Sequence, residues 1–427
     1  MKIKRMIGTI LAALLIGLNY SPVVQDIVDI PQSMRIFYGQ DQVLPYSSLL
    51  PLEWKSEDAQ VVRFQGTTLA DEGVVTDRNG VAVQSNKTGS TKVTVELMGI
   101  PVKTIDVEVT PEYTLVPGGI PVGIALHTKG ALVVGLTEIA DADGNMHNPG
   151  KEAGLKTGDI IEAIDGTVVK DADHLTKLVK DREGAELELT VTRDGASLQL
   201  GITPVKDGAD GKLRLGLWVR DSSAGIGTLS YYDPNNRTFG ALGHAITDAD
   251  TGMELVVKDG EILEAQIIDV LKGEKGKPGE LKGMFAKDQS VIGNIDSNTS
   301  FGIFGTTDTR FENALYPDAI PIGSHSTVHT GEATILCTVD EGSPKQYACE
   351  IVKVNNQNRA DTKSMVVKVT DPALLEKTGG IVQGMSGSPI IQDGRLIGAV
   401  THVFVNDPTR GYGIFIDWML SQSRNLE

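Results

Sequence analysis

From residue 211 to the C-terminus the chain sustains no long helical repeat. Apolar runs at 213–219, 264–271, 290–293 and 363–369 are each short enough for a single strand, and polar or glycine-bearing turns separate them. Long helices are absent except at 418–423. A half-chain of this kind buries its apolar residues by pairing strands and closing sheets, so the expectation is an all-β domain of two barrels. The 48 glycines and the 5% aromatic content fit the same turn-rich architecture. At 427 residues the chain has room for about two to four domains.

Within that half lies Gly384-Met385-Ser386-Gly387-Ser388-Pro389, a G-x-S-G-x-P string. An apolar pair, Ile390-Ile391, a turn at 392–394 and a second apolar run at 396–403 follow it. A serine between glycines can sit on a tight turn with its hydroxyl exposed, and glycine lets neighbouring N–H groups converge on one point, as an oxyanion requires. The alternative is a glycine-rich β-turn without chemistry. The string resembles the nucleophile loop of chymotrypsin-like serine proteases, with Met385 where that family has an acidic residue and Ser388 where it has a glycine.

A serine nucleophile needs a base in hydrogen-bond reach. Of the seven histidines, His127, His147 and His174 fall outside this half. His325 and His329 lie in a Ser/Thr-rich segment, and His402 follows the serine. His244 sits in Gly243-His244-Ala245, framed by small residues and placed before the serine, the chain order of chymotrypsin-like enzymes. It is the expected general base.

Residues 113–205 carry a different pattern. A strand at 131–135 precedes the string A-G-L-K-T-G-D-I-I-E-A-I-D-G at 153–166, then a helix at 173–181 with Leu175, Leu178 and Val179 on one face, a strand at 186–193 and a turn at Asp194-Gly195. This resembles the PDZ domains of exported bacterial proteases. The resemblance implies capture of an extended peptide at a sheet edge. Backbone N–H groups around Val122, Gly123 and Ile124 would meet the peptide carboxylate, and His174 would open the helix beside the groove. A PDZ serving only as spacer or internal clamp is the other reading.

Residues 1–5 carry Lys2, Lys4 and Arg5, and an apolar run follows to about residue 18. This is the pattern of an export signal, and the expectation is an uncleaved signal anchor over 1–24 with the basic flank in the cytoplasm. Residues 25–110 read as a linker followed by a small β module, with strands at 61–64, 81–83, 92–97 and 104–109. The PDZ then spans 111–206 and the peptidase 207–427. The formal net charge of −17 and the lack of a basic cluster beyond the N-terminus speak against nucleic acid as a partner. Two cysteines, Cys337 and Cys349, flank a turn around Gly342-Ser343-Pro344. A hairpin there would set them opposite each other, either as a disulfide or as two core thiols. Neither has companion ligands at metal spacing, and H-E-x-x-H is absent.

An N-terminal anchor, a PDZ, Gly240-Ala241-Leu242-Gly243-His244-Ala245 and the long string from Gln383 to Ile416 together resemble the sporulation serine peptidases of endospore-forming bacteria. That resemblance implies a mainly β chain with a chymotrypsin-like double barrel. It implies an exported enzyme, working between the two forespore membranes without metal or cofactor, that cleaves itself near its N-terminus, a cut that would release it. Its other substrate would be a membrane-bound regulator of an intramembrane metalloprotease, so that a late transcription programme starts. By position, Ser386 is the nucleophile, His244 the base, the N–H groups of Gly384 and Ser386 the oxyanion hole, and Asp371 the third catalytic member. Asp371 also reads as the N-cap of a helix at 373–377, with Pro372 in its first turn; Asp248, Asp288 and Asp296 are alternative acids. His402 reads either as a pocket-lining residue or as a structural histidine. The rival to the enzyme is a PDZ scaffold carrying an inactive protease fold.

Overall fold

The computed structural model describes residues 21–28, 30–38, 41–44, 52–65, 67–68, 74–75, 81–181, 184–285, 291–355, 357 and 359–423. The expected anchor at 1–24 lies almost wholly outside them, and no helix among the described residues is long and apolar enough to cross a membrane.

The segment read as linker contributes strands. Ser33–Phe37 runs parallel to Ile100–Thr110, pairing Ser33 with Asp106 and Phe37 with Thr110. Leu52–Ser56 pairs with Gly89–Leu97. Alternation along these strands sends Met34, Ile36, Trp54, Val93, Val95, Ile105 and Val107 into one core, which is the period-2 pattern of a half-buried sheet. The module docks on the second half of the chain: Phe37 joins a core with Leu396 and Ile414, and the Arg35 N–H donates to Ser326 Oγ at 3.3 Å.

Both expected barrels are present. The second closes through Gly331–Cys337, Lys345–Val354, Met365–Val369, Asp407–Phe415, Arg395–Phe404 and Pro389–Gln392. The first closes through Pro121–Leu136, Val257–Glu264, Val291–Thr299, Gly302–Thr306, Thr238–Ala241 and Leu217–Asp233, the last pairing back to the first.

The first barrel therefore begins well before residue 207. Pro121–Leu136 is bent by a bulge after His127. Its first half pairs Val122 through Leu126 with both Leu217–Asp233 and Val257–Glu264. Its second half pairs with Ile160–Ile164 and enters the PDZ fold. Leu217–Asp233 makes the return journey, pairing Leu217–Arg220 with the PDZ half and Ser222–Thr228 with the barrel half. The PDZ is thus an insertion into the first barrel that shares two strands with it. Its helix, Ala172–Lys180, starts at Asp171, whose carboxylate accepts from the His174 N–H at 2.6 Å. The helix buries Leu175 and Val179 against Val133, Ile161 and Leu189.

The cysteine hairpin forms in a different register from the expected one. Cys337 pairs with Lys345 and Cys349 with Ala333. Four residues of ladder separate the two, roughly 13 Å of strand, well beyond disulfide reach. Both are free and buried. Burial raises both thiol pKa values, that of Cys349 to about 12, so they stay protonated and unreactive.

Candidate active site

Ser386 and His244 line the same cavity, about 520 Å³ in volume. Two glycines bring their loops together. Gly387 has φ +95°, and a Cβ on it would lie 2.1 Å from the Thr228 carbonyl oxygen and 2.5 Å from the Leu242 nitrogen. Gly243 has φ +71°, and its Cβ would lie 2.9 Å from Thr401 Cγ2. The serine loop is thus packed against the turn that carries His244, and that turn against the strand after the serine. Leu242 itself adopts φ +69°, an unusual conformation for a non-glycine residue and one that concentrates at functional turns.

The backbone of the serine loop can be accounted for donor by donor. Met385 N–H donates to Val382 O at 3.1 Å, Gly387 N–H to Val400 O at 2.7 Å and Ser388 N–H to Met385 O at 3.0 Å. The N–H groups of Gly384 and Ser386 have no acceptor among the described residues. The Gln383 carbonyl is held by the Leu281 N–H at 2.8 Å, which turns the opposite end of that peptide, the Gly384 N–H, away from Leu281. Two unclaimed donors flanking a serine side chain are what an oxyanion site needs.

His244 donates Nδ1–H to the Ala245 carbonyl at 2.8 Å, because a carbonyl can only accept. That bond fixes the tautomer and leaves the Nε2 lone pair free to take a proton. Burial pushes the His244 pKa below the ordinary histidine value, and the Ala245 bond offsets part of the shift. The ring is therefore neutral and basic at neutral pH. It lies against the ring of His402, with centroids 4.8 Å apart and the planes tilted by 39°. Of the two readings of His402, the structure shows the pocket-lining one. Much of its surface meets solvent, yet loss of water against the cavity wall, together with His244 and Lys363 nearby, brings its pKa down to about 4.

The Ser386 hydroxyl donates to the Thr401 carbonyl at 2.8 Å, so its proton is engaged there and not with His244. Transfer of that proton to Nε2 would require the hydroxyl to leave that carbonyl. Asp371 sits elsewhere: it caps the helix Pro372–Thr378, its Oδ1 accepting from Ala373 N–H at 2.9 Å and Leu374 N–H at 3.1 Å, and its Oδ2 from Ala348 N–H at 3.3 Å. It does not line the cavity. Asp248 is also engaged, buried under Arg220 and Thr251. Burial disfavours its charge, but the Thr251 and Arg220 bonds keep its pKa low. Asp296 has a raised pKa through burial, and Asp288 lies outside the described residues.

The peptide-binding assignment of Val122, Gly123 and Ile124 is corrected. These three residues are in mid-sheet with a strand on each side, so their N–H groups belong to ladders and cannot receive a carboxylate. Gly123 serves packing instead: a Cβ there would lie 2.5 Å from the Phe285 ring. His174 does stand in the first turn of its helix, where its Nδ1 accepts from Lys170 N–H at 3.2 Å.

Residues 211–420 match the family described as SpoIVB peptidase S55, a serine peptidase family. Residues 127–203 match the PDZ domain family. One curated relative, described as a zinc metalloprotease of Lactococcus lactis subsp. lactis, is 38% identical over 85 residues, 19% of this chain and 19% of its own length. The chain therefore covers about a fifth of that relative, whose description stays with it; among the described residues no group of three or more His, Cys, Asp or Glu is placed to hold a metal ion.

Proposed function

We propose that this chain, whose residues 211–420 match the SpoIVB peptidase S55 family, is a sporulation serine endopeptidase in which Ser386 attacks a peptide carbonyl and His244 takes the hydroxyl proton. The observation that carries the reading is the meeting of two loops, about 140 residues apart in sequence, at one cavity lined by both side chains. On attack the carbonyl oxygen becomes an oxyanion held by the N–H groups of Gly384 and Ser386. His244 then returns the proton to the leaving amine. A water, deprotonated by the same imidazole, hydrolyses the acyl-enzyme.

The cavity walls include Ile124, Ile226, Ile246, Ile381, Val382 and Val403, and among the described residues no Asp, Glu, Lys or Arg lines it. Such a site suits uncharged side chains beside the scissile bond. Asp371 enters the proposal on resemblance alone: to orient His244 it would have to leave its helix cap, in a rearranged state that also turns Ser386 from Thr401. The finer reading, also from resemblance, places the enzyme outside the cytoplasm on an N-terminal anchor. Its substrates are then its own segment within 25–109 and a membrane-bound regulator of an intramembrane metalloprotease, with the PDZ gripping a peptide.

Labelling by a rhodamine fluorophosphonate tests the reading. Wild-type protein is expected to be labelled, and Ser386→Ala and His244→Ala are expected not to be, while both keep the wild-type circular dichroism. A well-folded wild type that takes no label would overturn the assignment in favour of a PDZ scaffold with an inactive protease fold, and a Ser386→Ala protein that takes it at the wild-type rate would overturn Ser386 as the nucleophile.

A further inference from the structure

Thr228 is bonded to both loops of the site. It lies on Leu217–Asp233 and is 2% exposed. Its hydroxyl donates to the Gly384 carbonyl at 2.7 Å. Its N–H donates to the Ser386 carbonyl at 3.0 Å, and its carbonyl accepts from the Leu242 N–H at 3.3 Å. Gly384 and Ser386 are the two residues whose N–H groups are unclaimed, and Leu242 begins the turn that ends in His244.

We propose that Thr228 is the positioning residue of this active site, its side-chain hydroxyl locking the peptide after Gly384 so that the serine loop keeps its oxyanion-binding shape beside the base. The inference rests on the peptidase reading above. Its physical basis is an accounting of carbonyls. The serine loop makes a turn with positive φ at Gly384 and Gly387, where glycine permits several backbone orientations. Each peptide in such a turn keeps one orientation only if its carbonyl or N–H has a fixed partner. Leu281 holds the carbonyl of Gln383, and the Thr228 N–H holds that of Ser386. The Gly384 carbonyl between them is held by the Thr228 hydroxyl. Without that hydroxyl, a part-buried carbonyl loses its donor, and the middle peptide is left with one of its two restraints, the Met385 N–H bond to Val382 at 3.1 Å. The two backbone bonds of Thr228 survive any substitution except proline, so the hydroxyl is the separable element.

The test compares Thr228→Val with Thr228→Ser in the full chain, using rhodamine fluorophosphonate and measuring the inactivation rate constant and the half-saturating probe concentration separately. Valine keeps the branched shape and removes the donor; serine keeps the donor and removes a methyl. The expected result is a fall of about tenfold or more in the rate constant for the valine protein, with the half-saturating concentration within about threefold of wild type. The serine protein is expected to stay within about threefold on both. A valine protein labelled at the wild-type rate overturns the proposal while leaving the peptidase reading intact. Equal losses in the valine and serine proteins also overturn it, because packing would then explain them. If wild type itself takes no label, the peptidase reading fails first and this proposal with it. Melting temperatures of both variants identify unfolding, and a serine protein that folds and labels normally keeps the comparison decisive even if the valine protein melts early.

Discussion

Replacing Gly387 with alanine is the sharpest probe of how the two loops are joined. The residue has φ +95°, and an added Cβ would meet the Thr228 carbonyl oxygen at 2.1 Å and the Leu242 nitrogen at 2.5 Å. Both neighbours are backbone, so neither can swing aside as a side-chain tip would. The conformational strain alone costs about 1–3 kcal/mol. Forcing the loop off the first barrel adds about 1–3 kcal/mol, as overpacking does, for a total of roughly 2–6 kcal/mol. In a domain of this size that lowers the melting temperature by roughly 4–24 °C. The chemical effect should exceed the stability effect at low temperature: relieving a 2.1 Å contact displaces Ser386 by about 1 Å, and a misplacement of that size can cost about 10²-fold in rate. Gly394→Ala is the matched control, since Gly394 has φ +72° but open space around its Cβ. It should carry only the strain and be labelled by fluorophosphonate as fast as wild type. The assay is thermal denaturation beside labelling at 20 °C for all three proteins. A Gly387→Ala protein that melts and labels like Gly394→Ala would refute the idea that close backbone contact at this glycine joins the loops.

The adjacent rings of His244 and His402 give a pH signature. His244 is held below its ordinary value chiefly by burial, so labelling should persist below pH 6.5 and fail only as the pH drops through the lowered pKa. His402→Ala lets water onto the His244 ring and should move that acid limb upward, with labelling at pH 8 within about threefold of wild type; an unmoved limb would contradict the burial argument. Because the folded His402 titrates near 4 and the unfolded one near 6.5, this group contributes stability above pH 6.5 that is lost as the pH falls toward 4, measurable as a falling urea midpoint over that window. Asp371→Asn keeps a good helix cap and removes the charge: if the carboxylate orients His244 in the active state, labelling is lost while the melting temperature holds, and full labelling would confine Asp371 to the cap.

What was legible in the sequence was local. Ser386 and His244 each sit in a short contiguous string of small residues, and the string itself encodes the tight turn, so the two turns that meet at one cavity could be read without knowing the fold. The helix at Pro372–Thr378 and its Asp371 cap were legible for the same reason. Long-range pairing was not. Nothing in the apolar pattern of 121–136 distinguishes a carboxylate-binding loop from a barrel strand, because its partners lie about 80 to 140 residues onward at 217–233 and 257–264. Ser33–Phe37 looked like linker because a five-residue strand next to Pro31 gives too little periodicity, and its partner begins at Ile100. The cysteine spacing suggested symmetry about Gly342-Ser343-Pro344, but register follows the whole ladder, and that ladder pairs Cys337 with Lys345. Thr228 left no signal at all, since a threonine in a strand is ordinary and its importance comes from what 156 residues of separation bring to its hydroxyl.

The shared strand Leu217–Asp233 gathers these long-range effects into one element. Its Asp221 carboxylate accepts from the Ala172 N–H at the start of the PDZ helix at 2.8 Å. Its Arg220 pairs with Asp248, four residues past His244. Ser223 through Ile226 line the cavity, and Thr228 holds the serine loop. A hinge between PDZ and peptidase would need a segment with few contacts, and this strand has ladder partners along most of its length. A displacement at the PDZ helix would therefore act on both catalytic loops through one paired strand, because a laddered strand moves as a unit or breaks its hydrogen bonds. The same continuity gives the resting geometry a physical meaning. Ser386 faces Thr401 while the carbonyls of Gln383, Gly384 and Ser386 around it are already bonded in place, so the step from this state to a reactive one begins with a side-chain rotation.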